Sequence, residues 1–238
     1  KPSTRTRISF DIAVKQLGGS SIFLNPEGIH YGKGDETLKD TAKVLSEYAD
    51  IIMLRTSSHK NLEEFGKYLN IPIINGLSDQ SHPCQVLTDL FSFEEAKGSI
   101  SGKNVAWLGD GNNNMSNSLI EAAGKFDFKL KIGCPNKYKP NKKIMTWAKK
   151  NKANVLVTEN PAEAVKDVDC VMTDKWVSMN DKVNKKAKKK SLKKYQVNKK
   201  LMNLAKSSAL FMHCLPVGRG EEVTDEVIDG KQSIVWTQ

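Results

Sequence analysis

The sequence lacks any apolar run near the roughly 18 residues that a membrane-spanning helix requires, so a helical membrane protein is not expected. Its first residues show no charged start, apolar stretch and small-residue cleavage site, so a leader is not expected among them. Its first residue is Lys1 rather than Met, and the chain reads as a piece of a longer polypeptide. Cysteine is scarce. Cys84, Cys134, Cys170 and Cys214 are far apart and form no C-x-x-C pair, so neither a zinc site nor a disulfide framework is expected, and a reducing, cytoplasmic setting is the default. Gly109-Asp110-Gly111 follows an apolar run as a dinucleotide fingerprint would, but the third glycine and the ribose-binding acid are missing. No nucleotide cofactor, and no metal, is expected. No fixed-period repeat is present.

Positive charge is abundant but confined. The net charge is +10, and residues 181–200 hold ten lysines against one acid, Asp181. That run accounts for nearly the whole excess. It contains no arginine and one aromatic, Tyr195. A groove for nucleic acid needs positive charge spread over a face and interleaved with stacking side chains. A solvated lysine-rich helix fits the run better, with an electrostatic docking patch as the alternative.

At 238 residues the chain can bury a sizeable core and divide into two domains. Short apolar runs alternate with amphipathic stretches. Strands are expected at 21–24, 51–54, 71–74, 104–108, 128–132, 154–157, 170–172, 209–212 and 233–236. Helices are expected at 4–17, 37–48, 60–69, 83–97, 114–126, 141–151, 160–166, 182–194 and 222–229. This alternation predicts an α/β protein of two domains, each with a central parallel sheet flanked by helices. The glycine- and serine-rich stretch at 97–103 is the expected break, giving domains 1–97 and 98–238.

Ligands of parallel sheets bind beyond the carboxyl ends of the strands, and unusual polar residues collect there. Arg55 follows one expected strand; Asp110, Asn112 and Asn113 follow another; Asp174 and then Ser178 follow a third; His213 and Cys214 follow a fourth. Ahead of the first helix stand Ser3, Thr4, Arg5, Thr6 and Arg7. Hydroxyls and guanidiniums at a helix N-terminus suit a phosphate, because the free backbone N–H groups and the dipole already favour an anion. The alternative is an N-cap followed by solvated arginines. His82-Pro83-Cys84-Gln85 opens a long helix with proline in its first turn and offers donors to a carbonyl or amide. Four polar strand ends and the cradle together predict a cleft between the two sheets.

These segments resemble the aspartate/ornithine carbamoyltransferase family, and its ornithine branch in particular. Ser3-Thr4-Arg5-Thr6-Arg7 resembles the carbamoyl-phosphate motif, His82-Pro83-Cys84-Gln85 the carbamoyl-binding H-P-x-Q, and His213-Cys214-Leu215-Pro216 the H-C-L-P of the ornithine branch. Asp174 with Ser178-Met179 resembles the D-x-x-x-S-M-G amino-acid loop, and Asp110-Gly111-Asn112-Asn113 the strand end that holds the amino acid. The resemblance implies carbamoyl transfer from carbamoyl phosphate to the δ-amine of ornithine, a step of arginine biosynthesis, without cofactor or metal. It implies that carbamoyl phosphate is held by Ser3, Thr4, Arg5, Thr6, Arg55, His82, Gln85, Cys214 and Leu215. His30 would reach a neighbouring subunit's phosphate site in a homotrimer. Asn113, Asp174, Ser178 and Met179 would hold ornithine. Arg55, His82 and Cys214 would act at the reacting carbonyl.

The sequence departs from the family pattern in three places. Asn180 stands where the loop has glycine, the family's first strand and helix do not precede Lys1, and the A-E-N-R segment and last helix do not follow Gln238. A sister transferase acting on putrescine or acetylornithine, and a binding homologue with a defective site, are the alternatives. Putrescine, which has no α-carboxylate to pair, fits the amino-acid loop less well.

Overall fold

The structure, a computed structural model, describes residues 3–25, 36–177 and 184–238. Backbone packing divides the chain into two compact units, Lys1–Pro83 and Cys84–Gln238.

The first unit holds α1 (Thr4–Gln16), α2 (Leu38–Tyr48), β1 (Ile52–Arg55), α3 (His59–Gly66) and β2 (Ile73–Leu77). Each helix has a hydroxyl cap: Ser3, Thr37 and Ser58 accept from a backbone N–H of the opening turn. β1 and β2 pair in parallel. The expected strand at 21–24 is irregular. Ile22 is 87% exposed, and no strand pairs with this stretch among the described residues. Its apolar character matches a strand, but a strand exists only against a partner.

Helix α4 (Pro83–Lys97) leads into the second unit. There follow β3 (Asn104–Leu108), α5 (Asn114–Lys125), β4 (Lys129–Gly133), α6 (Lys142–Lys150), β5 (Val155–Thr158), α7 (Pro161–Val165), β6 (Cys170–Thr173), α8 (Lys185–Leu192), α9 (Lys199–Met202), β7 (Leu210–His213) and α10 (Asp225–Ile228). The sheet is wholly parallel, in the order β5-β4-β3-β6-β7. The chain runs outward from β3 to β5, then returns to lay β6 on the other side of β3. That reversal is a topological switch point, where the connections leaving β3 and β6 diverge and open a crevice.

Both sheet faces are covered. Val105 and Trp107 of β3 point into one apolar cluster with Phe93, Leu119 and Ile144; Ala106 and Leu108 point into another with Val165, Leu192 and Ile228. The alternation along a single strand is the period-2 pattern of a sheet buried on both sides.

Some expected elements are shortened. The stretch expected as a strand at 233–236 makes one bridge, Phe211 to Ser233, and then turns as Thr237 N–H donates to Ile234 O at 3.1 Å. The helix expected at 222–229 begins only at Asp225, because Glu222 is drawn inward by the β7 end described below. Lys199–Met202, a four-residue helix capped by Asn198, has no counterpart in the sequence reading.

Candidate active site

In the first unit, the turn from Ser3 into α1 gathers polar groups. Ser3 Oγ accepts from Thr6 N–H at 3.4 Å and from the Thr6 hydroxyl at 3.1 Å. Arg55, at the carboxyl end of β1, donates from Nη1 to Thr6 Oγ1 at 3.0 Å and to Gly76 O at 3.4 Å. The guanidinium is half-buried, and burial first, then the like charge of Arg5, lowers its pKa below the ordinary arginine value. Two cations close enough to disfavour each other beside free helix N–H groups form a field that an anion relieves. Arg7 lies over the Phe23 ring, 4.1 Å from its centroid, so its charge faces that ring.

His82 follows a turn made rigid by Ser78. Ser78 N–H donates to Ser81 O at 2.8 Å, Ser78 Oγ accepts from Ser81 N–H at 3.1 Å, and His59 Nδ1 lies 2.9 Å from the same hydroxyl. Asn75 Nδ2 donates to Ser81 Oγ at 2.9 Å. His82 itself is partly buried.

In the second unit the carboxyl ends of β3, β6 and β7 supply the polar groups. Gly109 leaves β3 with φ +126°, a conformation that glycine adopts without strain. Asp110 then turns back. Its Oδ1 accepts from Asn112 N–H at 2.8 Å, and its Oδ2 pairs with Lys188 Nζ at 2.6 Å, both side chains being less than 10% exposed. Asn113 caps α5 through Oδ1, which accepts from Ser116 N–H at 2.8 Å. With the oxygen so used, the amide presents its N–H donors.

Thr173 Oγ1 donates to Leu108 O at 2.7 Å and ties the β6 end to the β3 end. The next residue, Asp174, is partly buried, and burial raises its carboxyl pKa above the ordinary carboxylate value, opposed in part by a hydrogen bond from Cys214. The Cys214 thiol is pushed well above its ordinary value by burial and by Asp174 and Asp89. Cys214 is therefore a protonated donor here, not a thiolate nucleophile.

His213 is turned inward. Its Nδ1 accepts from Leu215 N–H at 2.9 Å, which leaves the proton on Nε2, 3.2 Å from Glu222 Oε1. Glu222 is fully buried and also accepts from Gly218 N–H. The imidazole is thus a fixed brace that shapes the Cys214–Leu215 turn. Asp174, His213 and Cys214 bring ligand-type atoms within 4.8 Å of one another, the one such group of three among the described residues. Both ring nitrogens of His213 are already engaged in hydrogen bonds.

Gln85, one turn into α4, donates from Nε2 to Asp89 Oδ1 at 2.8 Å. The structure thus groups Ser3, Thr6 and Arg55, with Arg5 acting on Arg55, in one unit. It groups Asp174 and Cys214 in the other. His30, Ser178 and Met179, and with them Asn180, lie outside the described residues. The motif reading passed over Asp89, Lys188, Glu222 and Gln238. Asp89 and Lys188 had a signal in their spacing: Asp89 is one helical turn beyond Gln85, and Lys188 shares a stripe with Leu192 and Tyr195. Glu222 and Gln238 had none, because their partners are set by the return of β7.

Comparison with known proteins agrees with this layout. Residues 1–95 match the carbamoyl-P binding domain of aspartate/ornithine carbamoyltransferase, and residues 101–238 match its Asp/Orn binding domain. The ornithine carbamoyltransferase of Rhodopseudomonas palustris (strain BisA53) is 51% identical over 238 residues, spanning all of this chain and 75% of that protein. The solved structure of ornithine carbamoyltransferase from Pyrococcus furiosus superposes with a TM-score of 0.92 at 44% identity, covering 99% of this chain and 76% of that one. The anabolic ornithine carbamoyltransferase of Campylobacter jejuni gives 0.90 at 38% identity, covering 96% of this chain and 77% of that one. With both domain matches in chain order and half of all residues shared with a relative, the chain belongs to the aspartate/ornithine carbamoyltransferase family.

Proposed function

We propose that this chain transfers the carbamoyl group of carbamoyl phosphate to the δ-amine of L-ornithine, giving L-citrulline and phosphate. The observation that carries the proposal is the pairing of Arg55 with Thr6 at the α1 N-terminus, under the charge of Arg5. It is an anion site assembled from the family's phosphate motif. Carbamoyl phosphate is assigned to Ser3, Thr4, Arg5, Thr6, His30, Arg55 and His82, with Gln85, Cys214 and Leu215. Ornithine is assigned to Asn113, Asp174, Ser178 and Met179. The N–H donors that Asn113 keeps after capping α5 suit the α-carboxylate, and the Asp174 carboxylate suits the α-ammonium. Residues 1–97 form the carbamoyl-phosphate domain in this reading, and 98–238 the ornithine domain. The active form is a cytoplasmic homotrimer. Leu17 and Ile22, 89% and 87% exposed, are apolar surface of the kind such an assembly covers.

The neutral δ-amine attacks the carbonyl carbon; a C–N bond forms and the C–O bond to phosphate breaks. Negative charge gathers first on the carbonyl oxygen, for which Arg55 and His82 are the donors, joined by the Thr6 hydroxyl once its proton turns away from Ser3 Oγ. It then leaves on phosphate, held by Arg5 and the α1 N–H groups, and a phosphate oxygen can take the amine proton. Neither Cys214, a thiol, nor His213, engaged at both nitrogens, is set up as a general base. The rate then comes from positioning two substrates and from fixed charges. The test is a panel of amines assayed with carbamoyl phosphate. Citrulline from ornithine at a rate at least a hundredfold above that with putrescine or acetylornithine is the expected result. Equal rates, or none, overturn the reading.

A further inference from the structure

Asp89 is absent from every motif in the sequence, yet it joins two of them. It sits on α4 one turn beyond Gln85 and is 1% exposed. Its Oδ1 accepts from Gln85 Nε2 at 2.8 Å and from Gln238 Nε2 at 2.6 Å. Gln238 Oε1 in turn accepts from His213 N–H at 2.9 Å. Donor and acceptor identities then propagate without choice. The His213 backbone can only donate, so Gln238 must present oxygen to it and –NH2 to Asp89. Asp89 accepts at Oδ1, so Gln85 must present –NH2 inward. The oxygen of Gln85, on the other branch of the planar amide, is left to accept from a ligand.

We infer that Asp89 is a positioning residue that fixes the Gln85 amide with Oε1 outward, as an acceptor for the carbamoyl –NH2, so that the site distinguishes carbamoyl from acetyl phosphate. The inference rests on the proposed carbamoyl transfer. Acetyl phosphate keeps the carbonyl and the phosphate and replaces –NH2 with a methyl group, which donates nothing. A freely turning glutamine could present its own –NH2 and would lose the distinction. The acceptor at Oδ1 persists whether Asp89 is ionised or protonated. This matters because burial beside Leu119, Cys170, Met172 and Met212 raises its pKa to about 7.

The test compares the wild-type chain with Asp89→Asn, which keeps an acceptor at Oδ1, and Asp89→Leu, which removes it. Citrulline formation gives the KM for carbamoyl phosphate, and competitive inhibition gives the Ki of acetyl phosphate. Asp89→Asn should leave both within threefold. Asp89→Leu should raise the KM at least tenfold and leave the Ki within threefold. If Asp89→Leu gives no cooperative melt, Asp89→Ser replaces it with the same expectation, since a helical serine can bond the preceding turn's carbonyl and is too short to reach both glutamines. A KM within threefold of wild type, or a KM and Ki that rise together as in general disruption, overturns the inference. A wild-type chain that makes no citrulline overturns the functional reading and this inference with it; an active wild type with unaltered variants overturns the inference alone.

Discussion

In the proposed reaction Asp174 is the partner of the ornithine α-ammonium. An α-ammonium in a partly closed site needs a paired anion, because an unpaired charge there is costly. Asp174→Asn keeps the shape and removes the charge. kcat/KM for ornithine should fall by about 2–5 kcal/mol, the range for truncating one partner of a buried charge pair, while the KM for carbamoyl phosphate changes little. Steady-state kinetics with each substrate varied in turn separate the two. Because burial raises the Asp174 pKa, ornithine affinity should weaken on acidification at a higher pH than an ordinary carboxylate would give. Arg5 is the matching test on the phosphate. Arg5→Ala removes one charge-assisted contact, and the KM for carbamoyl phosphate should rise by the equivalent of about 1.5–3 kcal/mol. It also removes the like charge beside Arg55. A KM within twofold of wild type would sink the cradle assignment. Asp174 was legible in the sequence because its chemistry is unusual for a strand end, and Arg5 because it stands among hydroxyls at a helix N-terminus. His213 was legible only as a polar strand end. Its inward turn onto Glu222 depends on a residue nine positions on, with no local pattern to announce it.

The elements most legible were those whose own side chains set their limits. Helix α4 begins at Pro83 and ends at Lys97, and β3 spans Asn104–Leu108, both as the sequence pattern reads. Proline fixes one start, and a continuous apolar run fixes the other element. The lysine-rich helix shows where composition stops being informative. α8 is mostly solvated, as expected, but Lys188 is not. It is buried against Asp110 and lies 5.5 Å from the Tyr138 ring centroid. That pair ties α8 to the turn bearing Asn112 and Asn113. Lys188→Ala takes away the cation paired with the buried Asp110 carboxylate, so it should destabilise the second unit by about 3–5 kcal/mol. Lys186→Ala, on the solvated face of the same helix, should stay within about 0.5 kcal/mol. Urea denaturation of the two variants side by side checks this. Equal midpoints would mean that the pair holds nothing in place. Gly111 belongs to the same turn. A Cβ there would sit 2.8 Å from Tyr138 O and 3.0 Å from Cys134 Sγ, which explains a glycine between Asp110 and Asn112 better than flexibility does.

For the whole molecule, the fold class follows from alternation, whereas strand order does not, because order is set by contacts far apart in sequence. The reversal between β5 and β6 places Asp110 and Asp174 at neighbouring strand ends, 64 residues of chain apart, and no local pattern encodes it. The same long-range closure buries Asp89, and that burial has a global consequence. Its carboxyl rises from an ordinary 3.8 to about 7, with burial as the first cause and the amides of Gln85 and Gln238 opposing. Between those values the folded chain holds a proton that the unfolded chain has released. The stability due to the protonated group is complete below about pH 4, declines as the pH rises, and is lost above about pH 7. A rise of this size corresponds to on the order of 4 kcal/mol. Asp89→Asn removes the titration and keeps the acceptor at Oδ1. Relative to this variant, the wild type should lose stability steadily from pH 4 to pH 7 and then run parallel to it above pH 8. Denaturant unfolding of both proteins across that range gives the difference directly. A difference independent of pH would mean that Asp89 ionises in the folded protein as it does in water, and that the buried junction of the two glutamines is wet.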